Sequence, residues 1–245
     1  MFKRIAQTAG FAGLLAAILL TLLQSLWVTP LILQAETYEG SAPQSAAEQP
    51  ASAHEHAADM AEHAHAPAAA ADHHDSQAWS PEDGWQRSLA TGLSNLVVAV
   101  GFALMLAGLF TLRTPQHTWQ GLLWGLAGFA TFSLAPSLGL PPELPGTAAA
   151  ELGLRQSWWL AAASATAVGL SLLAFAKHWS LRLAGLLLLA IPHLFGAPQP
   201  AVHASLAPAA LANEFILASL LTNALFWVAL GGTAAWLFRR APAHV

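Results

Sequence analysis

The 245-residue chain contains no cysteine, which excludes disulfides, thiolate metal ligands and a cysteine nucleophile. Charge is scarce as well: Lys, Arg, Asp and Glu make up 9% of the residues, whereas 56% are hydrophobic. Because no basic patch exists to neutralise phosphates, we expect no nucleic-acid binding. The composition is typical of a membrane protein rather than a soluble domain.

Known catalytic motifs are missing too. The sequence has no HExxH, no P-loop and no Ser, His and Asp set in a recognisable context. We therefore expect a protein that is not an enzyme and has no tightly bound cofactor. Any energy from nucleotide hydrolysis would come from another chain.

Six stretches approach the roughly 20 apolar residues that a helix needs to cross a bilayer. They predict an all-α, polytopic membrane protein with about six transmembrane helices, at about residues 5–29, 88–111, 119–140, 156–176, 182–200 and 212–237. The fifth stretch contains Pro192 and ends in the proline-rich APQP. Five spans, or a re-entrant fifth segment, is therefore the alternative.

Basic residues near the ends of these stretches predict the orientation. Seven fall on one side of a six-span arrangement and only Arg87 and Arg155 on the other. Both termini are therefore predicted to be cytoplasmic, in a bacterial inner membrane. The predicted regions are an N-terminal helix (1–33), an external loop (34–87), a five-helix bundle (88–240) and a short tail (241–245).

The N-terminus also resembles a signal peptide, because MFKR is basic and an apolar run follows it. That run is longer than the usual apolar core of a signal peptide. It ends in WVTPLILQAETYE, without a small-residue cleavage site. A retained helix is the favoured interpretation.

The external loop holds six of the eleven histidines between residues 54 and 75, and ten of the thirteen acidic residues lie between residues 36 and 83. Imidazole and carboxylate together suit divalent transition metals, so the loop predicts capture of such an ion. Its low complexity predicts disorder without a ligand. The alternative is a solvated spacer. The candidate ligands are His54, His56, His63, His65, His73 and His74.

Four polar residues fall inside the predicted spans, where burial in lipid is costly unless they find partners or line a cavity. These are Gln24, Asn95, His193 and Asn223. They predict a polar vestibule open to the outside, although ordinary hydrogen bonds between helices explain the two asparagines equally well. Pro192 should free a backbone carbonyl near Leu188 and kink the helix there, which makes His193 a candidate metal ligand. A structural, hydrogen-bonded histidine is the alternative.

Three further carboxylates lie near the outer surface. Glu36 and Glu39 are spaced to share one helix face, and Glu143 lies in the proline-bounded loop PPELPG. Each could guide cations from the loop to the vestibule, or simply be a solvated acid at a helix end. Small residues four apart, at Gly121 and Gly125 and again at Ala161, Ala165 and Gly169, allow close helix packing, or reflect the Ala-rich composition.

Several motifs together resemble one family. QSLWVTPLILQAETYE, the His-rich loop, WSPEDGWQR, GLLWGLAGFATFSLAPSLGLPPELPG, RQSWW and IPHLFGAPQP occur in the order found in the CbtA family of probable cobalt transporter subunits. The resemblance covers almost the whole chain. The residues that match are Gln24, Trp27, Glu36, Glu39, Trp79, Glu82, Asp83, Trp85, Glu143, Trp158 and His193.

The resemblance implies a subunit that imports Co²⁺ for cobalamin synthesis with a small single-span, His-rich partner, CbtB. Membrane lipid is the other expected partner, and an oligomer is compatible with the sequence. Transport of Ni²⁺ or another divalent metal, export for metal resistance, and a non-transporting metal sensor or assembly factor are the alternatives. Other nickel and cobalt permeases usually carry HxxxxDH in a helix, and this chain does not.

Overall fold

A computed structural model describes residues 1–41 and 84–241. Within those ranges the chain forms six helices and no strand. Four of the helices are continuous: α2 is Trp85–Leu112, α4 is Leu152–Phe175, α5 is Trp179–Phe195 and α6 is Ala209–Arg240. Helix α1 consists of α-helical segments Phe2–Leu23 and Thr29–Ser41, joined by a π-helical turn at Gln24–Val28. Helix α3 consists of α-helical segments Thr118–Phe129 and Ala135–Ser137, joined by a second π-helical turn at Ala130–Leu134. An α-helical membrane protein is therefore confirmed.

The helices run alternately up and down, so both termini lie at the same end of the bundle. Arg4 Nε donates to the carbonyl of Phe238 at 2.8 Å, and Arg239 Nη1 lies 3.3 Å from Thr118 Oγ1. We call this the basal end and the opposite one, where α1 ends and α2 begins, the apical end. Which end faces the cytoplasm stays a prediction.

Helix lengths show which elements can cross a membrane. Four helices, α1, α2, α4 and α6, are long and apolar enough to do so. Helix α1 is about 60 Å long at about 1.5 Å per residue, twice the hydrocarbon core of about 30 Å, so one end must project from the membrane. Helix α5 is apolar but has only 17 residues. Helices occupy all six predicted stretches, and the count of six spans stays a prediction.

The two π-helical turns share a local sequence feature. The amide of Thr29 donates to the carbonyl of Gln24, and that of Ala135 to the carbonyl of Ala130, each five residues back. A proline follows at once in both helices, at Pro30 and Pro136. Because proline has no N–H, the carbonyls four residues before it lose their α-helical donor, which favours the wider turn.

The buried core lies among α1, α2 and α6. Alanines form the contact between α1 and α2, including the fully buried Ala12, Ala99 and Ala103. Large side chains fill the space beside α6, including Phe110 and Trp227. Large apolar side chains on the outer faces stay exposed, as at Phe11 and Val97, and these faces suit lipid.

Glycines bring two helix pairs into backbone contact. A Cβ at Gly231 of α6 would overlap the Gly121 carbonyl of α3, and one at Gly125 would overlap the Trp227 carbonyl of α6. Gly169 of α4 and Gly185 of α5 are related in the same way, since a Cβ on either would lie 2.8 Å from the other's carbonyl oxygen. The spacing of Gly121 and Gly125 thus marks a helix interface. Ala161, in contrast, is exposed.

Replacing Gly231 should test this packing. Gly231→Val places a side chain against the backbone of α3, and overpacking of this kind costs about 1–3 kcal/mol. We expect a lower thermal midpoint in detergent, measured by fluorescence-detected size exclusion. Gly101→Val is the matched control, because a Cβ at Gly101 meets no atom within 4 Å. Equal melting of both variants would contradict the close contact.

Candidate functional site: a polar cavity at the apical end

A cavity of about 700 Å³ opens at the apical end between α3, α4 and α6. Its lining combines polar side chains with aromatic rings from α3 and α4 and with prolines from α3 and the loop that joins α3 to α4. Three helices and this loop meet here because α3 ends early, at Ser137. The polar lining residues are Ser133, Ser137, Glu143, Arg155, Gln156, Ser219 and Asn223.

An ion pair forms one wall of the cavity. Arg155 Nη2 donates to Glu143 Oε2 at 2.9 Å, with about 30% of each side chain exposed. Glu143 lies in the loop and Arg155 in the first turns of α4. In water such a pair contributes only about 0–1 kcal/mol, so an incoming cation could displace the guanidinium.

The loop that carries Glu143 is tied to the segment between α5 and α6. The amide of Ala148 donates to the carbonyl of Ala204 at 2.9 Å, and that of Leu206 donates to Gly146 at 3.2 Å. Gly146 has φ +74°, a conformation that favours glycine. Leu144 is buried against α1 and α6. Glu143 is therefore held on a loop anchored at both sides.

Asn223 reaches the same cavity from α6. Its Nδ2 donates to the carbonyl of Ser219 one turn earlier at 2.9 Å, and Ser219 also lines the cavity. The Oδ1 atom of Asn223 is an acceptor suited to a hydrated cation. Together with the Glu143 carboxylate and the hydroxyls of Ser133 and Ser137, it gives the cavity a set of oxygen atoms that can serve as ligands for a cation.

Aromatic rings close the inner side of the cavity. Phe132, in the π-helical turn of α3, stacks on Trp227 with 5.6 Å between ring centroids and 5° between planes. The ring of Trp159 also lies next to Phe132, with 6.3 Å between the ring centroids. Both Phe132 and Trp159 line the cavity. In this conformation a polar path toward the basal end stops at these rings.

Two of the other three polar residues predicted in the spans, Asn95 and Gln24, contact each other away from this cavity. Asn95 of α2 is buried, and its Nδ2 donates to Gln24 Oε1 at 2.7 Å and to Thr21 Oγ1 at 3.0 Å. Gln24 begins the π-helical turn of α1. This arrangement is the hydrogen bond between helices that was the alternative explanation for Asn95.

Two of the predicted guiding acids lie beyond the core at the apical end. Glu36 forms a two-pronged pair with Arg87 of α2, at 2.6 Å from Nη2 and 3.3 Å from Nη1. Glu39 is exposed next to Gly146, where an added Cβ would lie 3.2 Å from Glu39 Cγ. Glu39 therefore adjoins the loop that carries Glu143.

His193 lies in the last turn of α5, nearer the apical surface than the predicted span of 182–200 suggested. Its ring meets that of Trp158 edge to face at 6.0 Å, and Trp158 Nε1 donates to the carbonyl of Pro192 at 3.3 Å. These contacts fix the imidazole beside α4. Helix α5 ends three residues beyond Pro192, at Phe195.

In residues 1–41 and 84–241, no three His, Asp or Glu side chains form a metal-binding group. His54, His56, His63, His65, His73 and His74 lie outside the described residues, so their role as ligands stays a prediction. Among the predicted residues that the structure describes, only Glu143 and Asn223 share the apical cavity, and the others lie in separate places.

Sequence reasoning missed Arg155, Ser133 and Ser219 as parts of this site. One signal was available for Arg155, because it is one of only two basic residues on the predicted outer side. Both of these, Arg87 and Arg155, pair with a predicted guiding acid. The serines gave no signal, because a hydroxyl in a span usually bonds to its own helix.

The fold and the cavity define a class: a polytopic helical membrane protein with a polar chamber sealed on one side. The family model described as "Probable cobalt transporter subunit (CbtA)" matches residues 2–239, nearly the entire chain. The chain therefore belongs to the CbtA family. Comparison with curated proteins and with solved structures gives no match.

The bond between Asn95 and Gln24 can be tested by Asn95→Leu. The change leaves Gln24 Oε1 and Thr21 Oγ1 without their shared donor, and bonds of this kind in membranes contribute about 0.6–2 kcal/mol. We expect a lower thermal midpoint of the purified protein in detergent. Thr111→Val is the control in the same helix, because Thr111 bonds only to the Gly108 carbonyl of its own turn. A similar midpoint for both variants would show that the bond across the helices is unimportant.

Proposed function

We propose that this protein is the membrane subunit of a Co²⁺ uptake transporter that captures the ion on its His-rich loop and admits it to the apical cavity. The family supports transport of cobalt in general terms. The observation that carries the finer proposal is the placement of Glu143 and Asn223 in one polar cavity within the helical bundle. Uptake for cobalamin synthesis, with a CbtB-like single-span partner, belongs to the same proposal.

The loop and the cavity offer two kinds of metal ligand, nitrogen atoms on the loop and oxygen atoms in the cavity. Imidazoles on the loop bind Co²⁺ strongly, and several interchangeable pairs let the segment gather ions at low concentration. The cavity offers carboxylate, amide and hydroxyl oxygens, which bind such an ion more weakly. An ion transferred from nitrogen to oxygen ligands is therefore held loosely enough to move on.

The ion pair controls entry to the cavity. At rest, Arg155 neutralises Glu143 and keeps its carboxylate on the wall. A divalent ion competes with the single charge of the guanidinium for the same oxygens, and Asn223 supplies a further acceptor. Glu39, next to the loop, extends the acidic surface outward. His193 is a separate ligand at the apical surface, beside Trp158.

Passage beyond the cavity requires movement of the aromatic rings at its inner side. Phe132 is placed for this, because it belongs to a π-helical turn, a feature often found at functional sites. Because the rings block the way from the cavity toward the basal end, release of the ion needs a second component or an energy source that moves them. This requirement agrees with the family's description as a transporter subunit.

Radioactive cobalt uptake into proteoliposomes should test the cavity. Glu143→Gln removes the carboxylate charge, and we expect uptake to fall about tenfold at limiting Co²⁺, since loss of a charged contact of about 1.5–3 kcal/mol corresponds to tenfold or more. Glu151→Gln is the matched control, because it makes the same change in the same connection but does not line the cavity.

The assay should be run with and without a CbtB-like partner and with competing Ni²⁺ and Zn²⁺. Equal uptake by the two variants would remove the cavity from the pathway. Co²⁺ binding without accumulation, under all conditions, would instead indicate a metal sensor or assembly factor.

Deletion of residues 54–75 should test capture separately. We expect uptake to fall at nanomolar Co²⁺ and to recover when Co²⁺ is raised, because the loop concentrates ions but does not form the pathway. A Gly/Ser segment of equal length in place of 54–75 is the control for loop length. Unchanged uptake by the deletion variant at limiting Co²⁺ would contradict a capture role.

A further inference from the structure

We propose that a second cavity, at the basal end, binds an anionic phospholipid, with its acyl chains between α2, α3 and α4 and its phosphate at Arg113. The cavity has a volume of about 620 Å³ and is lined by Met105 and Leu109 of α2, Leu123 and Ala127 of α3, and Leu170 and Ala174 of α4. This volume falls in the range of about 300–1,000 Å³ typical of ligand pockets.

The cavity exists because α4 packs tightly on α5 rather than on α3. Gly169 and Gly185 bring α4 and α5 into backbone contact, whereas α4 meets α3 mainly through the apical turns around Phe132 and Trp159. Toward the basal end the helices separate, which leaves a gap between apolar side chains inside the membrane. Such a gap is filled by hydrocarbon, since water has few polar partners there.

The mouth of this cavity is basic. The Arg113 guanidinium carbon lies 5.1 Å from the ring centroid of Phe175, and both residues line the cavity. A second guanidinium lies close by, because Arg182 Nε donates at 3.0 Å to the carbonyl of Ala176, the residue that follows Phe175. Trp119 also lines the mouth and is 56% exposed, a position that suits an indole at the lipid headgroup level.

Among the described residues, these arginines have no acidic counterpart at their end of the protein. The thirteen acidic residues of the chain lie at positions 36–83, 143, 151 and 214, all in the apical half or in the segment between α1 and α2. A basic pocket between membrane helices suits a phosphate headgroup. An anionic phospholipid would fill the apolar gap with its acyl chains and neutralise the basic mouth with its phosphate. An apolar helix from a partner would fill the gap but would supply no negative charge.

The aromatic wall separates this cavity from the apical one. Phe132 lines both cavities. Its neighbours Ser133 and Ser137 line the apical cavity, whereas Gly128 and Thr131 line the basal one. A lipid in the basal cavity would therefore support the same ring that closes the polar chamber. This gives the lipid a place in the structure distinct from that of the transported ion.

Native mass spectrometry of the full-length protein, in detergent with equal phosphatidylglycerol and phosphatidylcholine, tests the proposal. We expect preferential retention of phosphatidylglycerol, and Arg113→Gln should weaken it about tenfold, the equivalent of one lost phosphate contact. Arg113→Lys should retain most of the preference. Arg240→Gln is the matched control, because Arg240 lies at the same end over Trp236 and does not line the cavity.

Ala127→Cys provides a second measurement that does not depend on the arginine. The chain has no other thiol, so a photoreactive maleimide can be attached there alone. Cross-linking to phosphatidylglycerol in nanodiscs supports the proposal. Equal retention of the two lipids, no effect of Arg113→Gln, or cross-linking to a second polypeptide in cells in place of lipid would each overturn it.

Discussion

Backbone contact between helices is the constraint on which the rest of this structure depends. In lipid, apolar side chains gain little by leaving their surroundings, so helices associate through close packing and hydrogen bonds. Glycines at the α3–α6 and α4–α5 interfaces provide that packing. Because each pair is tightly bound, space is left between the pairs rather than within them. Both cavities lie in that space, on either side of the ring of Phe132.

Charge is distributed in keeping with this architecture. Across residues 1–41 and 84–241, carboxylates are confined to the apical half, where each of two is matched by an arginine, whereas the charged residues of the basal end are all basic. The apical arginines are therefore positioned by acids of the chain itself. The basal arginines instead contact backbone carbonyls, a threonine hydroxyl and aromatic rings of the chain. In the part of the chain that the structure describes, the apical end therefore carries an excess of negative charge and the basal end an excess of positive charge.

The fold class could be predicted from the sequence because long apolar runs leave few alternatives. The helix starts and ends agree within a few residues for α2 and α4, where the surrounding loops contain polar and proline residues. The sequence left the end of α1 open, because Glu36 and Glu39 are spaced for one helix face but LQAETYE is also polar enough to be a loop. It forms a helix, in which Ala35 packs against the apical core. Pro192 predicted a kink within the fifth span, but α5 ends only three residues beyond it.

The candidate site was predictable only in part. Residue type alone singled out Glu143, Asn223, Asn95 and Gln24, since polar groups in apolar runs are conspicuous. Which of them meet depends on the rotation of each helix, and hydropathy does not report that angle. The sequence thus predicted the members but could not separate the Asn95–Gln24 pair from the cavity that holds Glu143 and Asn223.

Each π-helical turn accommodates one residue more than an α-helical turn would. In an α-helix one residue corresponds to a rotation of about 100° about the axis. Side chains on the apical side of Gln24–Val28 or of Ala130–Leu134 therefore point in a different direction from the one they would have in a continuous α-helix. Pro30 and Pro136 lack the N–H that a continuous α-helix would use at that point, and the α-helix resumes beyond each π-helical turn. The directions of Glu36 toward Arg87 and of Ser137 toward the cavity are consequently set by a single added residue in each helix. Loss of that residue would turn the part of the helix beyond the π-helical turn away from its partners while leaving the basal part in place.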